Sequence, residues 1–265
     1  MSEFPASWRT VAFRFEPNPS FTELLRRAEA PLPIVTTSSG SVPSVPEGTT
    51  ILAMVTADGV VIAGDRRATE GTTIADRRIE KVFSTDRYAA VAIAGAAGPA
   101  IEMVRLFKTE VEHYEKLEGS VLSLEGKANR LAGMIRANFP FALQGLVVVP
   151  IFAGYDQGQR AGRIFRYDAV GGRYEEAEHH ATGSGGVHAR STLRHDWRPG
   201  MTTEEGIRLA LEALADAAEE DTATSGPDLR RGIFPVVASI TEDGYERVSD
   251  ETLAPIATEI LTGGR

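Results

Sequence analysis

The chain has 265 residues, 42% of them hydrophobic and 25% charged, the make-up of a globular protein able to bury a substantial core. A formal net charge of −9 and a pI near 5.2 disfavour a phosphate backbone as partner, so no nucleic acid is expected. The absence of cysteine excludes disulfides, thiolate metal sites and a cysteine nucleophile, and fits a reducing compartment. No apolar run has the length of a membrane span. The opening Met1-Ser2-Glu3-Phe4-Pro5 has neither the basic start nor the apolar stretch of a secretory signal. The expectation is a cytoplasmic protein with no membrane partner.

Residues 1–48 hold half of the prolines. A short helix is expected over Ser20 to Ala30, where Phe21, Leu24, Leu25 and Ala28 fall at helical spacing. Thr36 to Gly48 reads as extended linker. The apolar Trp8, Val11, Phe13 and Phe15 favour a leader that docks over a plain disordered tail.

From Thr49 the pattern changes to regular strands and helices. Two strands over residues 50–64 are joined at Ala57-Asp58-Gly59, a pair of turn residues suited to a tight hairpin. The second strand, Val60-Val61-Ile62-Ala63, is continuously apolar and reads as buried on both faces. It delivers Asp65 to its end. Another strand pair is expected at Arg78 to Phe83 and Arg87 to Ala94, turning at Ser84-Thr85-Asp86. Alternation there puts Lys81 on the face of Ile79 and Phe83, desolvated instead of facing water.

A long helix follows Ala94-Gly95-Ala96-Ala97-Gly98-Pro99, with Ile101, Val104, Phe107, Val111 and Tyr114 on one face. A second helix spans about Ser123 to Asn138. Strands return at Leu146 to Gly154, Gly162 to Tyr167, near Tyr174 and near His180. Two helices come next, the second signed by capping-box spacing of Thr202 and Glu205. A polar turn, Asp221 to Asp228, leads to a buried strand at Ile233 to Ile240, a hairpin at Glu242-Asp243-Gly244 and a closing helix after Ser249. Runs of strands separated by paired helices predict an α+β fold, a four-layer αββα sandwich of two antiparallel sheets flanked by helices, not a doubly wound parallel sheet.

The sharp change between Gly48 and Thr49 suggests that the working protein begins at Thr49. That residue would then carry a hydroxyl and a free α-amino group together, a nucleophile with its own base. Taken singly, Asp65 reads as a turn residue, Lys81 as a surface lysine and Ser184 as part of a Gly-Ser-Gly turn. Together with Gly48-Thr49-Thr50-Ile51, Ala63-Gly64-Asp65-Arg66-Arg67-Ala68-Thr69, Glu80-Lys81-Val82-Phe83 and Ile93-Ala94-Gly95, in that order, they make a pattern. The pattern resembles a proteasome β subunit of the actinobacterial type, over essentially all of residues 49–265.

The resemblance implies an N-terminal-nucleophile hydrolase fold, a propeptide of residues 1–48 and a catalytic domain of residues 49–265. It implies threonine endopeptidase activity released by self-cleavage between Gly48 and Thr49. Thr49 would be the nucleophile, its α-amino group (ordinarily near pKa ~8) the proton acceptor. Lys81 would hold positive charge beside the hydroxyl, Asp65 would pair with Lys81, and the Gly95 N–H would face the developing oxyanion. Ser184 and Asp221 would orient the amine. Positions Ala68, Ile79, Phe83, Ile93 and Ala97 would line the pocket for the residue before the scissile bond, an uncharged set implying cleavage after large apolar residues. Thr69 and Gly95 would pair with the substrate backbone.

The partners implied are proteasome α subunits and other β subunits, as heptameric rings in a four-ring particle of twenty-eight subunits. An ATPase regulatory ring and tagged protein substrates would act upstream. No cofactor is expected. Metal is not expected either: His179-His180, His188 and His195 match no ligand spacing, and adjacent strand histidines face opposite ways. No Gly-x-Ser-x-Gly elbow is present for Ser/His/Asp chemistry. Three rivals remain: the simpler bacterial ATP-dependent threonine protease, a hydrolase of small amides with an N-terminal nucleophile, and a catalytically silent ring subunit. Intact Gly48-Thr49 with Lys81 and Asp65 argues against the last.

Overall fold

A computed structural model describes residues 48–263. The expected Ser20 to Ala30 helix and the leader and linker before Gly48 lie outside the described residues. Among the described residues, twelve strands and five helices follow one another: β1 (Thr50–Val55), β2 (Gly59–Gly64), β3 (Ala68–Glu70), β4 (Thr73–Asp76), β5 (Val82–Asp86), β6 (Ala89–Gly95), α1 (Ala97–Glu118), α2 (Leu124–Ala142), β7 (Val148–Asp156), β8 (Ala161–Tyr167), β9 (Arg173–Glu176), β10 (His179–Gly183), α3 (Gly186–Asp196), α4 (Thr203–Glu220), β11 (Val236–Thr241), β12 (Gly244–Arg247) and α5 (Asp250–Thr262).

Two five-stranded antiparallel sheets, in the orders β10-β1-β2-β11-β12 and β5-β6-β7-β8-β9, make the centre. The period-2 alternation of strand side chains explains the layering. In β1, Ile51 and Ala53 meet the other sheet's Ala90, Ala92, Ile151 and Ile164, while Leu52 and Met54 face α3, α4 and α5. In β6, Ala90, Ala92 and Ala94 face inward, while Ala89, Val91 and Ile93 pack under α1 and α2. Alanine and isoleucine make up most of the buried layer between the two sheets. The result is the four-layer αββα sandwich that the strand and helix order predicts.

Local signals place the elements. The β1–β2 hairpin turns at the expected Asp58-Gly59. The Thr202 hydroxyl accepts from the Glu205 N–H at 3.2 Å while the Glu205 carboxylate accepts from the Thr202 N–H at 2.8 Å, completing the capping box of α4. One hairpin is shifted. The β5–β6 turn falls at Arg87-Tyr88, not at Ser84-Thr85-Asp86, which are paired in β5 through a bulge. Thr85 is fully buried there, and the Asp86 carboxylate accepts from the Tyr88 N–H at 2.7 Å to cap the later turn. The strand accordingly starts at Val82, with Arg78 to Lys81 outside it. The small β3–β4 hairpin was not foreseen; its residues are short, polar and mostly exposed.

Candidate active site

Four chain segments meet where β1 begins: the end of β2, the stretch before β5, the turn that follows β10 and the turn that follows α4. Thr49 sits just ahead of β1 and is 6% exposed. Its N–H donates to Ser184 Oγ (3.2 Å), its carbonyl accepts from the Ser184 N–H (2.8 Å), and its hydroxyl donates to the Gly48 carbonyl oxygen (2.7 Å). The hydroxyl therefore lies against the carbonyl of the bond that precedes it.

Asp65, at the end of β2, has no solvent exposure. Oδ1 accepts from the Thr50 N–H (2.8 Å) and from Lys81 Nζ (2.5 Å); Oδ2 accepts from the N–H groups of Arg67 (2.9 Å) and Ser225 (3.1 Å). A buried carboxylate needs such a full set of donors to remain charged. Lys81 is equally buried. Its three ammonium donors meet three acceptors: Asp65 Oδ1, the Arg67 carbonyl (2.5 Å) and the Gly48 carbonyl (3.0 Å). Burial pushes its pKa below the ordinary lysine value, and the attraction and hydrogen bond of Asp65 oppose that fall.

On the other flank the Ser184 hydroxyl donates to Asp221 Oδ2 (2.5 Å). Asp221 caps the C-terminus of α4. Burial works to raise its pKa, but hydrogen bonds from the Ser184 and Thr224 hydroxyls and from the Ala223 N–H outweigh it and hold it below the usual carboxylate value.

Gly95 closes β6. The Ile93 N–H bonds to the Lys81 carbonyl on the β5 side, and the Ala96 N–H bonds to the Val147 carbonyl on the β7 side. Strand alternation therefore turns the Gly95 N–H to the side of Lys81, beyond the start of β5. Its φ of +100°, and an approach that would put a Cβ at 2.1 Å from the Val147 oxygen, admit only glycine.

Ala68, Ile79, Ile93 and Ala97 line one recess with Thr49, Lys81 and Gly95. Further residues line it that were not among the expected pocket positions, Glu80, Ala94 and Ala100. The recess is thus not free of charge, although the Glu80 carboxylate is turned to Arg247 (2.7 Å). Phe83 is not among the lining residues. It pairs with Val91 of β6 and packs under α1 and α2, since β5 alternation carries it into the helix-facing core. Thr69 lies against Gly48, where an added Cβ would meet its hydroxyl at 2.5 Å. A second recess, of about 670 Å³, flanks Thr49 on the other side and is lined by Gly95, Ala96, Val147, Gly183 and Ser184 among others.

Sequence reasoning gave no role to Thr50, Thr224 or Ser225, whose hydroxyls bond to one another or to neighbouring groups behind this cluster. The run Asp221-Thr222-Ala223-Thr224-Ser225, dense in hydroxyls directly after a helix, was the available signal. The histidines form no cluster: His188 alone acts on Asp221, and His179 packs edge-on to Trp197 with ring centroids 5.8 Å apart. Among the described residues no group of His, Asp and Glu could hold a metal ion.

The family model described as "Proteasome subunit" matches residues 45–228. The chain belongs to the proteasome subunit family. A protein named proteasome subunit beta from Acidimicrobium ferrooxidans is 57% identical over 248 residues, 93% of this chain and 90% of that protein. Another of the same name, from Acidothermus cellulolyticus, is 56% identical over 228 residues, 84% of this chain and 79% of that protein. Both alignments are long enough to take in both flanks of the Thr49 cluster, and family membership agrees with the layered fold. Among the described residues no helix is long and apolar enough to cross a membrane.

Proposed function

We propose that this chain is a threonine endopeptidase, the catalytic β subunit of a proteasome core particle, made as a precursor and activated by cutting itself between Gly48 and Thr49. The observation that carries the reading is the double contact on the Gly48 carbonyl oxygen, from the Thr49 hydroxyl at 2.7 Å and from Lys81 Nζ at 3.0 Å. Nucleophile, carbonyl and cation are together before any cleavage.

In self-cleavage the Thr49 oxygen attacks the Gly48 carbonyl carbon. The new C–O bond pushes the carbonyl pair onto the Gly48 oxygen, beside the Lys81 ammonium. The C–N bond then breaks as its nitrogen takes the proton that Oγ gave up, and water hydrolyses the resulting ester to free the Gly48 carboxylate and restore the Thr49 hydroxyl. The Thr49 amine is free only then. In peptide cleavage it takes the hydroxyl proton as Oγ attacks, while Lys81, held by Asp65, lowers the cost of the alkoxide. The Gly95 N–H serves the oxyanion. Ser184, held by Asp221, orients the amine.

The recess of Ala68, Ile79, Ile93 and Ala97 receives a large apolar side chain, and Thr69 and Gly95 hold the substrate backbone as an added strand. Residues 1–48 are the propeptide and 49–265 the working subunit, which joins α subunits and other copies of itself in stacked heptameric rings. An ATPase ring feeds tagged proteins into the chamber, in the cytoplasm. The test is the intact mass and N-terminal sequence of the assembled protein. A chain of 217 residues (265 − 48) starting at Thr49 is expected; one still carrying residues 1–48 in assembled, peptide-cleaving particles would overturn the reading.

A further inference from the structure

We infer that Thr50, not only Thr49, serves the reaction: its hydroxyl is a positioning group that sets the Thr49 nitrogen through a one-way chain of hydroxyls. The inference rests on the reading of Thr49 as nucleophile.

Thr50 opens β1 and is fully buried, in a strand whose next residues, Ile51-Leu52-Ala53-Met54, are all apolar. A valine would fit the same volume without a polar atom to satisfy, so the hydroxyl needs a reason. Its contacts supply one. The Thr50 and Thr224 oxygens are 2.6 Å apart; Thr50 Oγ1 accepts from the Gly185 N–H at 3.0 Å; and the Thr224 hydroxyl donates to Asp221 Oδ2 at 2.6 Å.

Each hydroxyl has one proton. That of Thr224 goes to the carboxylate, which can only accept, so Thr50 must donate to Thr224. Ser184 has two acceptors in reach, Asp221 Oδ2 at 2.5 Å and the Thr49 carbonyl at 3.3 Å, and the shorter contact takes its proton. The Ser184 oxygen is then an acceptor for the Thr49 nitrogen at 3.2 Å. Direction is therefore fixed from both ends toward Asp221: Gly185 N–H to Thr50 to Thr224 to Asp221, and Thr49 N–H to Ser184 to Asp221.

Gly185 gives an independent sign that the space is reserved for this chain. A Cβ there would lie 2.6 Å from both Thr50 Oγ1 and Thr224 Oγ1. The backbone of Thr50 joins the other flank too, its N–H donating to Asp65 Oδ1 (2.8 Å) and its carbonyl accepting from the Asp65 N–H (3.0 Å). One residue thus ties the Lys81–Asp65 pair to the Ser184–Asp221 pair.

The charged and titratable groups of this cluster are Asp65 from β2, Lys81 from before β5, Arg67 from the β2–β3 connection, Asp221 from the end of α4 and His188 from α3; Asp65, Asp221 and Arg67 act on Lys81, and His188 acts on Asp221. With Asp221 anchored behind Ser184, its negative charge favours the protonated amine. Removing the Thr50 hydroxyl takes away the donor that fixes Thr224. The Asp221 carboxylate is then held less firmly, and the amine loses both orientation and part of that stabilisation.

The experiment compares Thr50→Val and Thr50→Ser, in the assembled and processed protein, by kcat and KM for a short peptide across pH. Thr50→Val should lower kcat by about ten-fold with KM changed less than about two-fold, and the acid limb of the profile should move to lower pH. Thr50→Ser, which restores the hydroxyl, should restore both. A Thr50→Val protein with unchanged rate and limb overturns the inference; so does a slower one whose acid limb has not moved and which serine does not rescue. If Thr50→Val is not processed, the same measurement is made on chain produced with Thr49 as its first residue. If it does not fold, Thr224→Val cuts the chain of hydroxyls one link further on and carries the same expectation. Thr49→Ala is assayed beside them: activity surviving that change refutes the nucleophile itself, whereas an inactive Thr49→Ala with a normal Thr50→Val refutes only the role of Thr50.

Discussion

The Lys81–Asp65 pair can be tested as a thermodynamic unit. In a Thr49→Ala background, which keeps every variant in one covalent form, Asp65→Asn, Lys81→Met and the double change close a cycle. Asp65→Asn removes one charge from a pair whose side chains are 0% and 3% exposed. The remaining ammonium keeps two neutral acceptors, the Arg67 and Gly48 carbonyls. The new amide must also turn its NH₂ toward donors on one side or the other. Stranding one partner of a buried pair costs about 3–5 kcal/mol, and for a domain of this size about 2–4 °C per kcal/mol gives a melting point lower by about 6–20 °C.

The cost should shrink as pH is raised, because loss of the Lys81 proton relieves the stranded charge. The double change removes both charges and should be milder than the sum of the singles, a coupling of about 2–3 kcal/mol. Urea unfolding followed by circular dichroism supplies all the values, provided the slopes agree. An additive cycle, with Asp65→Asn costing under about 1 kcal/mol, would refute the reasoning that these two groups depend on each other.

Gly48→Ala should slow self-cleavage at least about ten-fold, or about 1.4 kcal/mol on the barrier, as followed by mass against time. Its φ is +103°, and a Cβ would crowd the Thr69 hydroxyl at 2.5 Å and Ala223 at 2.8 Å. Burial lowers the His180 pKa from 6.5 to about 4. The unfolded chain therefore takes up the proton first as pH falls. Stability should be full above pH 6.5, decline between 6.5 and about 4 and then level, by about 1–2 kcal/mol after allowance for the exposed part of the ring; His180→Gln should flatten that slope in melts across pH. Phe83→Ala should cost about 2–4 kcal/mol in stability yet leave the preferred peptide unchanged, whereas Ile79→Ala should shift preference toward bulkier side chains. A changed preference in Phe83→Ala would return that residue to the recess.

Much of this was legible in the chain because it is written locally. Asp58-Gly59 turns one hairpin, Thr202 and Glu205 start α4, and an unbroken apolar run marks β2 as buried on both faces. Asp65 and Lys81 could be paired only by recognising several motifs at once, since sixteen residues separate them and the contact is between side chains. What stayed hidden depends on partners far along the chain. Ser84-Thr85-Asp86 has turn composition but is held in β5 by β6, with Thr85 buried. Phe83 alternates with Lys81 on paper, but Lys81 precedes the strand, so the period does not carry across. Thr50 looks like a strand residue until Thr224, 174 positions later, is beside it.

Those separations also set a clock. The Asp65 carboxylate is completed by Ser225, 160 residues on, and the Thr49 nitrogen by Ser184, 135 residues on. A nascent chain that has emerged only as far as β6 already contains Thr49, Asp65 and Lys81, but none of the groups from the second half. Long-range closures of this kind form late, because the entropy of the intervening loops is lost first. The cluster around Thr49 is therefore finished only after α4 has docked and the turn at Thr224 has closed over β1. On the proposed function, this order of folding withholds the Ser184 and Asp221 side of the cluster from the early chain.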